Sequence, residues 1–129
     1  MSDHGSWKQL QSTYDEALAL LPGALAAEGF GIITQIDMKE TFKNKLGIDF
    51  RRYKILGACN PKLASEALAH DPRLGVLLPC NVVLYETDEG KAVLGAIDPM
   101  SSLGASDPGL VPLAELVRGK LERTLAAVP

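Results

Sequence analysis

The two cysteines of the chain are the residues whose types and spacing suggest chemistry most directly. Each is followed by asparagine, in the stretches LGACNPKL and LPCNVV. A thiol can act as a nucleophile and an amide can donate and accept hydrogen bonds, so Cys59-Asn60 and Cys80-Asn81 could form one reactive site. The alternative is that the two cysteines are unrelated structural thiols. The surroundings of each cysteine must decide between these interpretations.

Cys59 stands at the expected start of a helix. Asn60 is a favourable N-cap residue and Pro61 suits the first helical position, which predicts a helix over 61–70. Because first-turn N–H groups and the helix dipole stabilise negative charge, the Cys59 thiolate would be available as a nucleophile. The alternative is a cysteine that packs beneath the helix entry as a small apolar side chain.

Cys80 lies in an apolar run that predicts a strand over 74–87. Every second residue of a strand shares one face, and desolvation on an apolar face keeps a thiol neutral. We therefore expect Cys80 to be buried and slow to react. The residues in phase with it are all aliphatic: Val76, Leu78, Val82 and Leu84.

The opposite face of the same strand is also mostly apolar. Pro79, Val83 and Tyr85 share this face with Asn81. A strand that is apolar on both faces must be covered twice, either by a partner subunit or by residues 98–110. The sequence therefore predicts a homodimer.

Charged residues extend the candidate site. Six cations and two anions lie between Lys39 and Lys54, a local balance of +4. Arg51 and Arg52 could therefore form the rim of an anion-binding site, although a solvated helix face gives the same pattern. Asp98 could supply an acid or base, whereas an aspartate before proline usually begins a turn.

Recognised catalytic and metal-binding motifs are absent. The chain contains no CxxC, HExxH, G-x-S-x-G or P-loop. His70 lies at the end of the helix expected over 61–70, where it should cap carbonyl groups rather than bind a metal. The sequence therefore predicts no metal site and identifies no cofactor.

Composition excludes several classes of protein. A chain of 129 residues with 47% hydrophobic residues is expected to form a single domain over 1–129. Its net charge of −3 argues against nucleic-acid binding. No apolar run approaches the roughly 20 residues that span a bilayer, and the N-terminus does not have a signal-peptide pattern. We therefore expect a cytoplasmic protein with free thiols and no membrane partner.

The remaining patterns define an α+β fold. Periodicity and capping signals predict a helix that begins at Thr13 and is kinked or split at Pro22-Gly23, and strands in which Phe30, Ile32, Thr34 and Ile36 share one face. Few full crossover helices separate the strands, which favours a mostly antiparallel sheet with helices on one face. The expected strands are 7–12, 30–36, 52–58, 74–87 and 91–97; the other helices are 38–46, 61–70 and one around 113–125; 1–6 is a frayed tail and 98–110 a mobile loop.

Four stretches in order resemble the bacterial and archaeal proteins of domain-of-unknown-function family 302: EGFGIITQIDM, KLGIDFRRYKILGACNP, GVLLPCNVVLYE and AIDPM. The resemblance implies a curved antiparallel sheet of the TATA-box-binding-protein type with helices packed on it, often as a homodimer, and it supplies no activity. The family's recurring positions correspond here to Glu28, Phe30, Asp37, Arg51, Tyr53, Cys59, Asn60, Pro61, Pro79, Cys80, Asn81 and Asp98.

These observations favour a ligand-binding or accessory homodimer without robust catalysis. Its site would lie between the helix start at Cys59, the strand around Asn81 and the 98–110 segment, and would take a small anionic or thiol-reactive ligand. The alternatives are a redox or sulfur-transfer enzyme with Cys59 as nucleophile and Cys80 as resolving thiol, and a purely structural dimer. The ligand-binding candidates are Cys59, Asn60, Asn81, Arg51, Arg52 and Asp98.

Overall fold

Five antiparallel strands form one sheet in the order β1-β5-β4-β3-β2 in a computed structural model that describes residues 4–129. The α+β class and the antiparallel sheet are as predicted. The strands are β1 Gly5–Gln9, β2 Gly31–Asp37, β3 Tyr53–Cys59, β4 Cys80–Glu86 and β5 Ala92–Ile97; the helices are α1 Tyr14–Ala27, α2 Met38–Leu46, α3 Pro61–His70, α4 Leu103–Ser106 and α5 Val111–Ala127, with 3-10 turns at Pro72–Leu77 and Pro108–Leu110.

Helix α1 begins as its sequence predicts. The Thr13 hydroxyl accepts a hydrogen bond from the Glu16 N–H, and the Glu16 carboxylate accepts one from the Thr13 N–H. Of the expected kink or split at Pro22-Gly23, the split is wrong, because α1 is one helix from Tyr14 to Ala27. Pro22 lies on the exposed side, and the fully buried Leu21 and Leu25 pack the helix onto the core on both sides of it.

The main core lies between one face of the sheet and helices α1 and α5. Leu56, Val82, Leu84 and Leu94 point from the central strands into this core and are almost fully buried. Burial of each aliphatic side chain stabilises the fold by about 1.5–3 kcal/mol, so this layer fixes which face of each strand points inward.

The strand expected over 74–87 begins later than predicted. A 3-10 turn occupies Pro72–Leu77, where the Asp71 carboxylate accepts a hydrogen bond from the Arg73 N–H, and β4 begins at Cys80. Val76 is therefore outside the strand, with 87% of its surface exposed. Only the part of the predicted apolar face from Cys80 onward is confirmed.

A bulge in β2 changes the predicted face of that strand. Ile32 pairs with Ala58, and Thr34 pairs with the next residue of β3, Gly57, so one extra residue of β2 lies between them. Ile32 therefore points to the core and Thr34 to the opposite face. The expectation that Phe30, Ile32, Thr34 and Ile36 share one face was wrong.

Both segments expected to lack regular structure contain some. Strand β1 begins at Gly5, inside the expected frayed tail, while residues 1–3 of that tail lie outside the described residues. Residues 98–110 contain α4 and the second 3-10 turn, and Leu103 and Leu110 are buried in a second apolar cluster with Ala114. The glycine and proline residues of this segment predicted a loop, but the segment contains two short helical turns.

The sheet face opposite the core carries a ladder of aromatic rings. Trp7 meets Tyr85 edge-on, and Tyr85 stacks on Tyr53 with ring centroids 5.5 Å apart. Phe50 and Phe42 continue the ladder to α2. None of the strand residues whose alternation points them to this open face is charged, and Trp7 is 41% exposed.

Candidate functional site

A cavity of about 290 Å³ lies where β3 ends and β4 begins, between this end of the sheet and helices α3 and α5. Both cysteines and Asn60 line it. No charged residue contributes to the lining, which makes the cavity an apolar site. The principal apolar residues around it are Phe30, Leu63, Leu68, Leu78, Leu103 and Val117.

Strand pairing brings the two cysteines to this cavity. Cys59 is the last residue of β3, and its neighbour Ala58 pairs directly with Cys80 at the start of β4. Cys59 is half-buried and Cys80 is buried, and both are free thiols. The structure thus places together two residues that are 21 positions apart in the sequence.

Asn60 connects the cavity wall to the rest of the fold. Its Oδ1 accepts a hydrogen bond from the Leu63 N–H at 3.3 Å, which caps α3 as predicted. Its Nδ2 donates to the carbonyl of Glu28 at 3.3 Å, and the Glu28 carboxylate is held by Arg123 at 2.9 Å. The amide retains one unused donor and one acceptor lone pair for a ligand.

Burial makes the two thiols unequal. Desolvation raises the pKa of Cys80 from 9.0 to about 11, with a smaller contribution from the nearby Cys59. Cys80 is therefore a neutral thiol at physiological pH. Cys59 precedes the N-cap of α3 and is accessible from solvent, as the sequence indicated.

Arg51 and Arg52 do not lie at the cavity. They precede β3, whereas Cys59 ends it, and seven residues of extended chain correspond to about 23 Å. Arg51 pairs with Asp88 at 3.0 Å, and Arg52 pairs with Asp15 at 3.2 Å.

The Arg52 guanidinium also lies 4.2 Å from the centre of the Tyr14 ring. Burial, and after it the Asp37 carboxylate, raises the pKa of Tyr14. Arg52 therefore belongs to a polar cluster at the far end of β3, away from both cysteines.

Asn81 and Asp98 are also separate from the cavity. Asn81 follows Cys80 in a strand and so points to the open face, where it lines a shallow groove with Trp7 and Val83. The Asp98 carboxylate accepts a hydrogen bond from the Met100 N–H at 2.9 Å and lies 3.8 Å from Arg118. Of the six predicted ligand-binding residues, only Cys59 and Asn60 line the cavity.

The expected role of His70 was wrong. Its Nε2 lies 2.8 Å from the Asp107 carboxylate, so it joins the end of α3 to the segment after α4 instead of capping carbonyl groups. The hydrogen bonds from His70 and from the Gly109 N–H lower the pKa of Asp107. No local signal could have paired His70 with a residue 37 positions away.

Among residues 4–129, no group of three or more His, Cys, Asp or Glu side chains could hold a metal ion. Within the same residues, no helix combines the length and apolar character needed to cross a membrane.

The fold is similar to that of a solved structure, and the sequence matches a known family. The model of the family described as domain of unknown function DUF302 matches residues 7–128, and the chain belongs to this family. The crystal structure of an uncharacterized conserved protein DUF302 from Bacillus stearothermophilus is similar, with a TM-score of 0.90 and 28% identity over 99% of this chain and 100% of that chain. A comparison with curated proteins finds no match. The predicted family resemblance is confirmed.

Proposed function

We propose that the protein binds a small, uncharged and largely apolar molecule in the cavity beside Cys59 and Asn60. The observation that carries this proposal is the lining: apolar side chains surround a space of about 290 Å³, and Asn60 and the two thiols are the polar groups at its wall. Ligand sites in proteins combine a mostly apolar concave surface with a few placed polar groups, and this cavity has that composition at the small end of the usual size range.

The lining argues for an uncharged ligand. No lysine, arginine or histidine contributes to it, so the charge of an anion would lose its hydration without gaining a cation. A molecule that buries about 250 Å² of apolar surface would instead gain roughly 6 kcal/mol before the costs of binding are subtracted. One carbonyl or hydroxyl group of the ligand could use the free donor or acceptor of Asn60.

Two fluorescent probes that differ in charge test this proposal. N-phenyl-1-naphthylamine is uncharged and apolar, and 1-anilinonaphthalene-8-sulfonate adds a sulfonate to the same rings. We expect the uncharged probe to bind saturably and more tightly. Stronger binding of the sulfonate, or no saturable binding of either probe, would refute the proposed site.

A pair of variants locates the binding. Ala64 lines the cavity, so Ala64→Phe should fill part of it and weaken the uncharged probe by at least about tenfold, which corresponds to 1.4 kcal/mol. Ala26 is exposed on α1 and does not line the cavity, so Ala26→Phe adds the same ring at an unrelated place and should leave affinity unchanged. Equal affinities in the two variants would place the probe elsewhere.

We further propose that two copies of the chain associate through their open sheet faces. The absence of charge on this face supports a second copy as the partner, because identical faces can meet without like-charge repulsion. Five strands of about seven residues cover roughly 550 Å², and the aromatic residues towards α2 extend the face towards the roughly 800 Å² per partner of a stable interface.

Light scattering tests this association. We expect a mass of about twice 13.8 kDa for the protein and a single-chain mass for Val83→Lys, which places a charge in the centre of the face. Ala26→Lys, on exposed α1, is the control and should remain dimeric. A single-chain mass for the unmodified protein at micromolar concentration would refute the dimer.

A second candidate function uses Cys59 as a nucleophile, as in a redox or sulfur-transfer protein. The position of this accessible thiol before a capped helix, with a second thiol nearby, supports it. Two free thiols also support a reducing compartment such as the cytoplasm. Turnover of a disulfide or persulfide substrate that is lost in Cys59→Ser, with the covalent adduct at Cys59 still formed in Cys80→Ser, would favour this candidate.

A further inference from the structure

The wall of the cavity is aliphatic rather than aromatic. Among the described side chains that line it, Phe30 is the one aromatic ring and none is charged. Aliphatic surfaces attract apolar groups without a preferred orientation, whereas flat ring ligands gain most from stacking on aromatic side chains. The wall therefore suits a flexible hydrocarbon chain better than a planar ring system.

The volume of the cavity sets the length of such a chain. The space of about 290 Å³ is roughly twice the apolar cavity of about 150 Å³ that takes one benzene molecule. Because benzene has six carbon atoms, the same packing gives room for about 12 carbon atoms here. A chain of about ten to 12 carbon atoms would fill the cavity, and a longer chain would extend beyond it.

Three residues mark the mouth of the cavity, because they line it and also reach solvent: Ile33, Leu68 and Gly75. Ile33 is 61% exposed and Leu68 is 39% exposed. A Cβ atom at Gly75 would meet the Leu68 Cδ2 atom at 3.8 Å and no other described atom within 4 Å, so the opening is clear there. Ile33 is the extra residue of the β2 bulge, and bulges often redirect a side chain beside a binding site. The mouth thus has an apolar rim in contact with water.

We propose that the ligand of this cavity is a single-chain amphiphile. An unbranched chain of about ten to 12 carbon atoms occupies the cavity, and an uncharged polar head remains in the mouth. This inference rests on the proposed function and names the class of ligand that the site takes. The chain leaves water along its length, whereas the head keeps its hydration, so no polar group of the ligand is buried without a hydrogen bond.

Displacement of N-phenyl-1-naphthylamine by a series of 1-alkanols, from 1-hexanol to 1-tetradecanol, tests the length of the chain. We expect affinity to rise about threefold to fourfold with each methylene up to about ten to 12 carbon atoms, and less than about twofold beyond that length. A constant increment through 1-tetradecanol, or an affinity that stops rising at 1-hexanol, would overturn the proposed chain length.

Two ligands with the same chain test the position of the head. Decyl maltoside, used below its critical micelle concentration, carries a large uncharged sugar head on the ten-carbon chain of 1-decanol. We expect the two affinities to agree within about threefold, because a head in the mouth has room in solvent. A loss of more than about tenfold for the maltoside would show that the head must enter the cavity, and would overturn its position in the mouth.

A matched pair of glycine variants tests the mouth itself. Gly75→Phe places a ring in the opening, so we expect the association rate of N-phenyl-1-naphthylamine in stopped-flow fluorescence to fall at least about fivefold. Gly23 lies in α1 away from the cavity lining, and a Cβ atom there meets no described atom within 4 Å, so Gly23→Phe should leave the rate unchanged. Equal rates in the two variants would overturn the assignment of the mouth.

The same titrations separate this inference from the function on which it rests. Saturable binding of N-phenyl-1-naphthylamine that no alkanol displaces would overturn the amphiphile and leave the proposed function standing. Failure of the probe itself to bind would overturn the proposed function, and this inference with it.

Discussion

Replacement of Asn60 by alanine removes two interactions that the structure assigns to one side chain. The Oδ1 caps the Leu63 N–H and the Nδ2 donates to the Glu28 carbonyl, each at 3.3 Å. Loss of an N-cap costs about 1 kcal/mol, and loss of a neutral hydrogen bond costs about another 1 kcal/mol. We expect Asn60→Ala to lower the free energy of unfolding by about 2 kcal/mol and the melting temperature by roughly 6–10 °C.

Urea unfolding followed by circular dichroism at one fixed protein concentration measures this loss. Asn60→Ser separates the two interactions, because serine keeps a capping oxygen and lacks the amide donor, so it should cost about half as much. Asn44→Ala is the control, since Asn44 is exposed on α2, and it should change stability by less than about 0.5 kcal/mol. If Asn60→Ala is as mild as Asn44→Ala, Asn60 does not hold the cavity wall.

Four further predictions concern the cysteines and the 98–110 segment. Under native conditions at neutral pH, iodoacetamide should modify Cys59 well before Cys80, and equal rates by peptide mass mapping would contradict their asymmetry. Because the pKa of Cys80 is raised from 9.0 to about 11, its contribution to stability is complete below pH 9. Between pH 9 and pH 11 the free energy of unfolding should fall by about 1.4 kcal/mol per pH unit, because the Cys80 thiol loses its proton in the unfolded chain before it does so in the folded protein. Urea titrations of Cys80→Ala over the same pH range should lack this contribution. Cys80→Ser should destabilise by about 1–3 kcal/mol at neutral pH, because a hydroxyl replaces the buried thiol; a change below about 0.5 kcal/mol would contradict this. Hydrogen exchange should be faster in 98–110 than in β3 and β4, because the hydrogen bonds of this segment lie in single short turns near solvent and not in the sheet; uniformly slow exchange there would contradict its expected mobility.

Local signals explain why the positions of several elements could be predicted. The capping box at Thr13, the Asp37 cap of α2 with Gly47 in the left-handed conformation, and the Asn60-Pro61 start of α3 each act within four residues. Such signals depend on neighbouring residues alone, so a single sequence contains them. The burial of Cys80 was equally accessible from strand alternation.

The composition of the candidate site was less predictable because it depends on long-range packing. Strand geometry alone could have excluded two of the predicted site residues. Arg52 is separated from Cys59 by the length of β3, and Asn81 must point away from Cys80. The contributions of Leu68 and Leu103 to the cavity depend on how α3 and α4 dock, which no sequence period records. The bulge in β2 likewise reverses which face the following residues of that strand point to. It does so through one unpaired residue between Ile32 and Thr34, and no distinctive residue type marks it in the sequence.

The central claim is that the apolar cavity beside Cys59 and Asn60 binds an uncharged apolar molecule. The most direct measurement is a titration of ¹⁵N-labelled reduced protein with N-phenyl-1-naphthylamine, followed by amide chemical shifts. The account predicts saturable shifts that are largest at Cys59, Leu63 and Leu68. Shifts that are largest on the open face around Trp7 and Val83, or that never saturate, would contradict it.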